Sequence, residues 1–270
     1  MKPAPMKRAT PRPRSNSVLS KLVRGVLRGL LGSRLPVHHG ELRRPGLHDV
    51  VIIRRDRWGI PHIHAKNDHD AWFGLGFCQG QDRAFQLETI VRLARGTLAE
   101  LVGPRGLPAD RLIRRLGLTH SAQRQWMVLS SEAQAILAAF TEGIGQGHTV
   151  GLTAKPHELV LTRGQITPWR PEDVLAFVKL QSFLLPSNWD LELARWQVLV
   201  RDGESSLRSL DPAIRDLEHE FAALRSVLPA WQMSNNWALA PHRTASGRPI
   251  VANDPHLAPT LPSPWYLAHI

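Results

Sequence analysis

The chain has 270 residues, 43% of them hydrophobic, which is enough apolar material for the core of one large or two small domains and excludes disorder over the whole length. It has no run of about 18 uninterrupted apolar residues, so no membrane-spanning helix is indicated, and its single cysteine, Cys78, excludes an internal disulfide framework and a multi-cysteine zinc site. The formal net charge of +11 is concentrated: residues 1–44 hold eleven basic residues against Glu41 alone, whereas the rest of the chain has 23 basic and 22 acidic residues. A basic tail on a neutral body is not a basic groove, and with no aromatic-basic surface motif beside it the charge does not point to nucleic acid.

Residues 1–45 read as a basic arm. The stretch MKPAPMKRATPRPRSNS is rich in proline and charge, a composition that resists packing and predicts disorder. The next piece, VLSKLVRGVLRGLLGSRLP, sets Lys21, Arg24 and Arg28 on one helical face, opposite Leu19, Leu22, Val23, Val26, Leu27, Leu30 and Leu31. Three readings stay open for residues 18–31: a solvated extension, an export signal weakened by three cations in its apolar region, and an amphipathic helix making peripheral contact with an anionic membrane.

From residue 46, LHDVVIIRRDRWGIPHIHAKN predicts a β-hairpin with its turn at Arg57-Trp58-Gly59. Helical periodicity follows, with Asp68 or Asp70 as N-cap, running through DAWFGLGFCQGQDRAFQLETIVRLARGTLAELVG to a stop at Gly103. Further helices are predicted near 108–118, 121–147 and 171–185 and in SNWDLELARWQVLV, and the charged segment 203–230 reads as a connector. NNWALAPHR, GRPIVAND and WYLAHI read as strands, with a turn at Ser246-Gly247. His62 and His64 share one face of a strand without a further metal ligand nearby in sequence, Cys78 falls in a helical apolar pattern and reads as core, and the glycines of GLGFCQGQD lack the strand-to-helix setting of a phosphate loop.

Three stretches carry a resemblance. RDRWGIPHIHAKNDHDAWFGLGFCQGQDRAFQLETIVRLARGTLAELVG and PHELVLTRGQITPWRPEDVLAFVKLQSFLLPSNWDLELAR are similar to the α subunit of penicillin acylase family proteins, and SNNWALAPHRTASGRPIVANDPHL resembles the start of their β subunit. The resemblance implies an α+β N-terminal nucleophile hydrolase with an αββα sandwich. This chain would hold a truncated, mostly helical α-subunit region (46–202), a spacer (203–233) and the first β-subunit strands (234–270). It further implies export, no organic cofactor, and one precursor that cuts itself between Met233 and Ser234 into α and β subunits.

Ser234 would then be the nucleophile. A serine hydroxyl needs a base to take its proton, and a newly exposed α-amino group, with a pKa of about 7.7 to 8.0, supplies one within the same residue. The substrate would be a small molecule with a linear amide. His256, in NDPHL, matches a histidine near the nucleophile in the cephalosporin-acylase-like branch; an orienting or proton-moving role and a structural role at a strand end both remain open. Leu185 and Pro186 match positions beside the acyl pocket, and equally fit a helix end packed in the core. Glu192 matches a glutamate that helps hold a structural calcium, although the ion needs about 6 to 8 oxygens. Two departures bear on this: Met233 stands where relatives often have glycine, and the sequence ends at Ile270, thirty-seven residues into the β-like region. The expectation is therefore a precursor fragment inactive by itself; the alternative from another class is a noncatalytic remnant that binds a membrane or partner.

Overall fold

The structure, a computed structural model, describes residues 18–32, 34–43, 46–184, 234–257 and 260–270. A helix, α1 (Val18–Leu31), precedes the hairpin of β1 (Ile52–Arg55) and β2 (Pro61–His64), whose antiparallel register pairs Ile52 with His64 and Arg55 with Pro61. The turn is the expected one. Gly59 adopts φ +82°, and the Asp56 carboxylate accepts the amides of Trp58 and Ile60 at 2.8 and 3.0 Å.

The N-cap of helix α2 (Asp68–Asp82) is Asn67, one residue before Asp68 and three before Asp70, the two predicted caps. Asn67 is extended and accepts the Asp70 amide at 2.9 Å, while Asp68 and Asp70 occupy the first turn, where negative charge complements the helix dipole. The single helical stretch expected up to Gly103 is divided into α2, α3 (Ala84–Arg95), α4 (Ala99–Val102) and a 3₁₀ turn at Gly103–Gly106. Gly96, left-handed at φ +67°, closes α3. Helices α5 (Leu107–Leu116), α6 (Leu118–Val128) and α7 (Ser131–Thr149) follow. The helix predicted over 121–147 is broken because Leu129 is extended and the Ser130 hydroxyl caps α7 by accepting the Ala133 amide at 3.2 Å. Short α8 (His157–Leu161) and α9 (Pro171–Leu184) complete the helical part, and the predicted helix after residue 186 and the connector 203–230 lie outside the described residues.

The helices generate their own core. Leu93, Leu98, Leu112, Ile113 and Leu180 form one buried cluster, and Ala94, Ala122, Leu175 and Ala176 a second, joining α3, α5, α6 and α9. The glycines of GLGFCQGQD have a packing role: a Cβ added at Gly76, Gly80, Gly143 or Gly147 would overlap the carbonyl oxygen of Phe140, Ile144, Phe73 or Phe77, so only glycine lets α2 and α7 approach this closely. Cys78 is fully buried, as expected.

Beyond residue 233, β3 (Asn235–Leu239) and β4 (Ile250–Asp254) pair antiparallel, with Asn235 opposite Asp254 and Leu239 opposite Ile250. Gly247, at φ +65°, turns the chain between them. The strand expected at WYLAHI reduces to one parallel bridge between His269 and His62 of β2. Side chains hold this segment instead: the Tyr266 hydroxyl donates to Asp82 at 2.6 Å and the Gln86 amide to the Ser263 carbonyl at 3.0 Å. The described strands thus form two two-stranded sheets in an α+β arrangement.

Candidate active site

The β3–β4 register determines what meets Ser234. With Asn235 opposite Asp254, the residue before β3 faces the segment just past β4, where Pro255 offers no amide and His256 the next one. The His256 backbone N–H donates to Ser234 Oγ at 3.2 Å. Two residues 22 positions apart in sequence are thereby brought together, though through the main chain of His256. Its imidazole turns to Asp254, with Nδ1 2.8 Å from the Asp254 carbonyl oxygen and Nε2 3.4 Å from its Oδ2. Ser234 is exposed and the His256 side chain 41% exposed, so the hydroxyl is open to an approaching molecule. An amide donating to the oxygen leaves the hydroxyl proton free for a base. Asp254, which sequence reasoning did not single out, is the group that orients the imidazole; it lies only two positions before His256, so the Asp-Pro-His spacing was the available signal.

Met233, Leu185, Pro186 and Glu192 lie outside the described residues. Of the two histidines weighed as metal ligands, His62 sits 3.7 Å from Asp56 and 5.3 Å, ring to ring, from His269, while His64 points to solvent. Among the described residues the groups that converge as potential metal ligands are instead His48, His69 and Asp70. Two imidazoles and one carboxylate do not suit calcium, which takes oxygens. They also suit a nitrogen-preferring metal poorly, because the rings stack face to face at 4.1 Å and Asp70 is fully occupied: it accepts the amides of His48 and Asp49 at 2.9 and 2.8 Å, the Asn67 side chain at 2.8 Å, and lies 3.1 Å from His69 Nδ1. Burial would raise the Asp70 carboxyl, but these bonds prevail and hold it down at about 2.

Other buried polar groups form the frame on which a site could be mounted. Arg55 donates to Asp82 and Gln81 at 2.7 Å each, and Asp82 also receives Tyr266, so hairpin, α2 and the C-terminal segment meet at one carboxylate. Burial, and then donation to Asp82, push the Tyr266 phenol upward, and burial pushes the Cys78 thiol up to about 12. Glu88, fully buried, accepts from Arg92 and from the amide and hydroxyl of Thr167 at 2.6 and 2.7 Å. His148 is buried, its Nε2 without a hydrogen-bond partner among the described residues, and burial lowers it to about 4 against the opposing pull of Glu88. The sequence signal for these was acidic or basic residues inside apolar helical runs; their partners lie far along the chain.

A serine at the entry to a β-hairpin, its oxygen held by an amide from the returning strand, is an arrangement suited to a nucleophile. The penicillin amidase family model matches residues 50–270, and the chain belongs to that family. It is 35% identical over 272 residues to a penicillin acylase 2 proenzyme of Pseudomonas sp. (strain SE83), covering 90% of this chain and 35% of that protein. It is 30% identical over 282 residues to the acyl-homoserine lactone acylase QuiP of Pseudomonas aeruginosa, covering 91% and 33%. The chain therefore spans about a third of the length of the curated relatives it matches. A thermostable penicillin G acylase from Alcaligenes faecalis aligns in structure with a TM-score of 0.45 at 23% identity, over 66% of this chain and 91% of that one.

Proposed function

We propose that this chain carries the nucleophile-bearing part of a penicillin acylase-type precursor that hydrolyses a linear amide. The observation that carries the reading is Ser234 exposed at the start of β3 with the His256 amide on its Oγ, inside the region matched by the family model. The Ser234 hydroxyl attacks the Met233 carbonyl, the peptide nitrogen leaves as the Ser234 amine, and hydrolysis of the resulting ester frees the new terminus. The spacer 203–233 then separates an α-like from a β-like subunit. Met233 restricts the backbone more than glycine would, which slows this cleavage.

Once free, the neutral α-amino group takes the hydroxyl proton through a bridging water as Oγ attacks the substrate carbonyl. The amine departs with a proton, leaving an acyl-Ser234 ester, and water releases the acid. His256 orients the hydroxyl through its amide and assists proton movement through an imidazole aligned by Asp254. Leu185 and Pro186 contribute to the acyl pocket. Glu192 would supply one of the about 6 to 8 oxygens a structural calcium takes, and the oxyanion donors and the second layer of the αββα sandwich would come from the part of a precursor that the longer relatives have beyond the span matched here. Without such donors the rate falls on the order of 10²- to 10³-fold for each one missing, so the 270 residues alone are expected to be inactive. The relatives named as penicillin and acyl-homoserine lactone acylases share the acyl-amide bond, which is the substrate class proposed here.

The test is amide hydrolysis by a precursor containing this chain joined to a complete β region, measured with acylated chromogenic amines. Ser234→Ala lowers turnover on the order of 10³-fold or more. His256→Ala retains the amide that touches Oγ and loses on the order of 10²-fold, with a displaced pH profile. Undiminished hydrolysis by Ser234→Ala contradicts the proposal.

A further inference from the structure

Helix α1 stands apart from the catalytic argument, and its exposed surface has two opposed characters. Leu22, Val26 and Leu30 recur every fourth residue and are 61%, 51% and 77% exposed, forming an apolar stripe left largely open among the described residues. Lys21 and Arg28 lie nearly opposite the stripe at 100° per residue, and the faces of Gly25 and Gly29 between them are open, with no atom within 4 Å of a Cβ built there. The described contacts that tie it to the body lie just past its C-terminal end. His157 Nε2 lies 3.4 Å from the Gly32 carbonyl oxygen, Arg34 donates to the Lys155 carbonyl at 2.6 Å, and Val37 donates to Gly151 at 2.8 Å. The helix is therefore tethered to the body past its C-terminal end, while the described side chains of both faces are exposed among the described residues.

We propose that α1 is an in-plane anchor for an anionic bilayer. The stripe enters the boundary between headgroups and acyl chains, Lys21 and Arg28 stay among the phosphates, and the body is held at the surface by the Gly32–Val37 attachment. Charge selects this occupant. Eleven basic residues against one acidic in residues 1–44 complement anionic headgroups, and an apolar stripe combined with a polybasic segment supplies the two signals that stable peripheral binding requires. At 14 residues α1 is about 21 Å long, short of the roughly 30 Å hydrocarbon core, so it lies on the membrane and does not cross it. No helix among the described residues is long and apolar enough to span.

The test is co-sedimentation of the full 270-residue chain with vesicles of phosphatidylcholine alone or mixed with phosphatidylglycerol. Binding is expected only with the anionic lipid and weakens as salt is raised. Leu22→Asp and Leu30→Asp each lower the partition coefficient about tenfold, and Lys21→Glu with Arg28→Glu lowers it further. These side chains are exposed, and unchanged circular dichroism verifies that the variants fold. Equal binding to both vesicle types, absence of binding, or full binding by Leu30→Asp, which would mark a charge-only attachment by the arm, each overturns the proposal. The outcome is independent of amide hydrolysis, so it can fail without touching the hydrolase reading.

Discussion

The helical region and the β3–β4 hairpin solve the problem of burial differently. Between α2 and α9 the chain packs against itself: two apolar clusters are buried, and the buried carboxylates Asp70, Glu88, Asp110 and Asp173 each have partners, including Leu98 and Ala99 amides on Asp110 at 2.7 and 2.8 Å and a two-pronged Arg95 on Asp173. The hairpin does the reverse. Trp237 and Ile250 on one face and Val251 on the other are 52%, 43% and 77% exposed, so no residue of either face is fully buried among the described residues. Scaffold stability and site assembly are thus separable here, and substitutions in the two regions should differ sharply.

The largest effect is expected at the α2–α7 crossing. Gly143→Ala or Gly76→Ala forces a methyl group into a main-chain carbonyl and should cost about 3 kcal/mol in a denaturant titration of this chain. Next comes acid. His148 is held neutral at about 4 in the folded state and has its ordinary value near 6.5 when unfolded, so the unfolded chain binds the extra proton as pH falls through that interval. Stability contributed above pH 6.5 is lost toward pH 4, by roughly 2 to 3 kcal/mol. His148→Gln should flatten this slope while leaving a further loss between about pH 4 and 2, where Asp70 takes its proton. Asp70→Ala releases the His48 and Asp49 amides, which water partly serves, and should cost about 1 to 2 kcal/mol. The smallest effect belongs to the hairpin, where Val251→Thr should change the stability of this chain by less than about 0.5 kcal/mol; a large loss there would show that the hairpin is packed after all.

What could be read in the sequence was local. The Asp56–Gly59 turn, the buried Cys78 and the two strands around Gly247 follow from residue chemistry within a few positions, and they are where they were expected. The breaks at Arg83, Gly96 and Leu129 were hidden because apolar periodicity continues across them; Gly96 and Ser130 were the available signals, and both act as caps. The approach of His256 to Ser234 through the main-chain amide follows from the β3–β4 register across 22 positions, whereas the turning of the imidazole to Asp254 is a contact between residues two positions apart. Likewise, Tyr266 reaches Asp82 across 184 positions, a pairing that only the folded chain reveals.

The most direct measurement is intact-mass analysis with N-terminal sequencing of a mature, active product containing this chain. The account predicts a new chain beginning Ser-Asn-Asn-Trp, absent from the Ser234→Ala variant. A single uncut polypeptide that hydrolyses amides at full rate would contradict it.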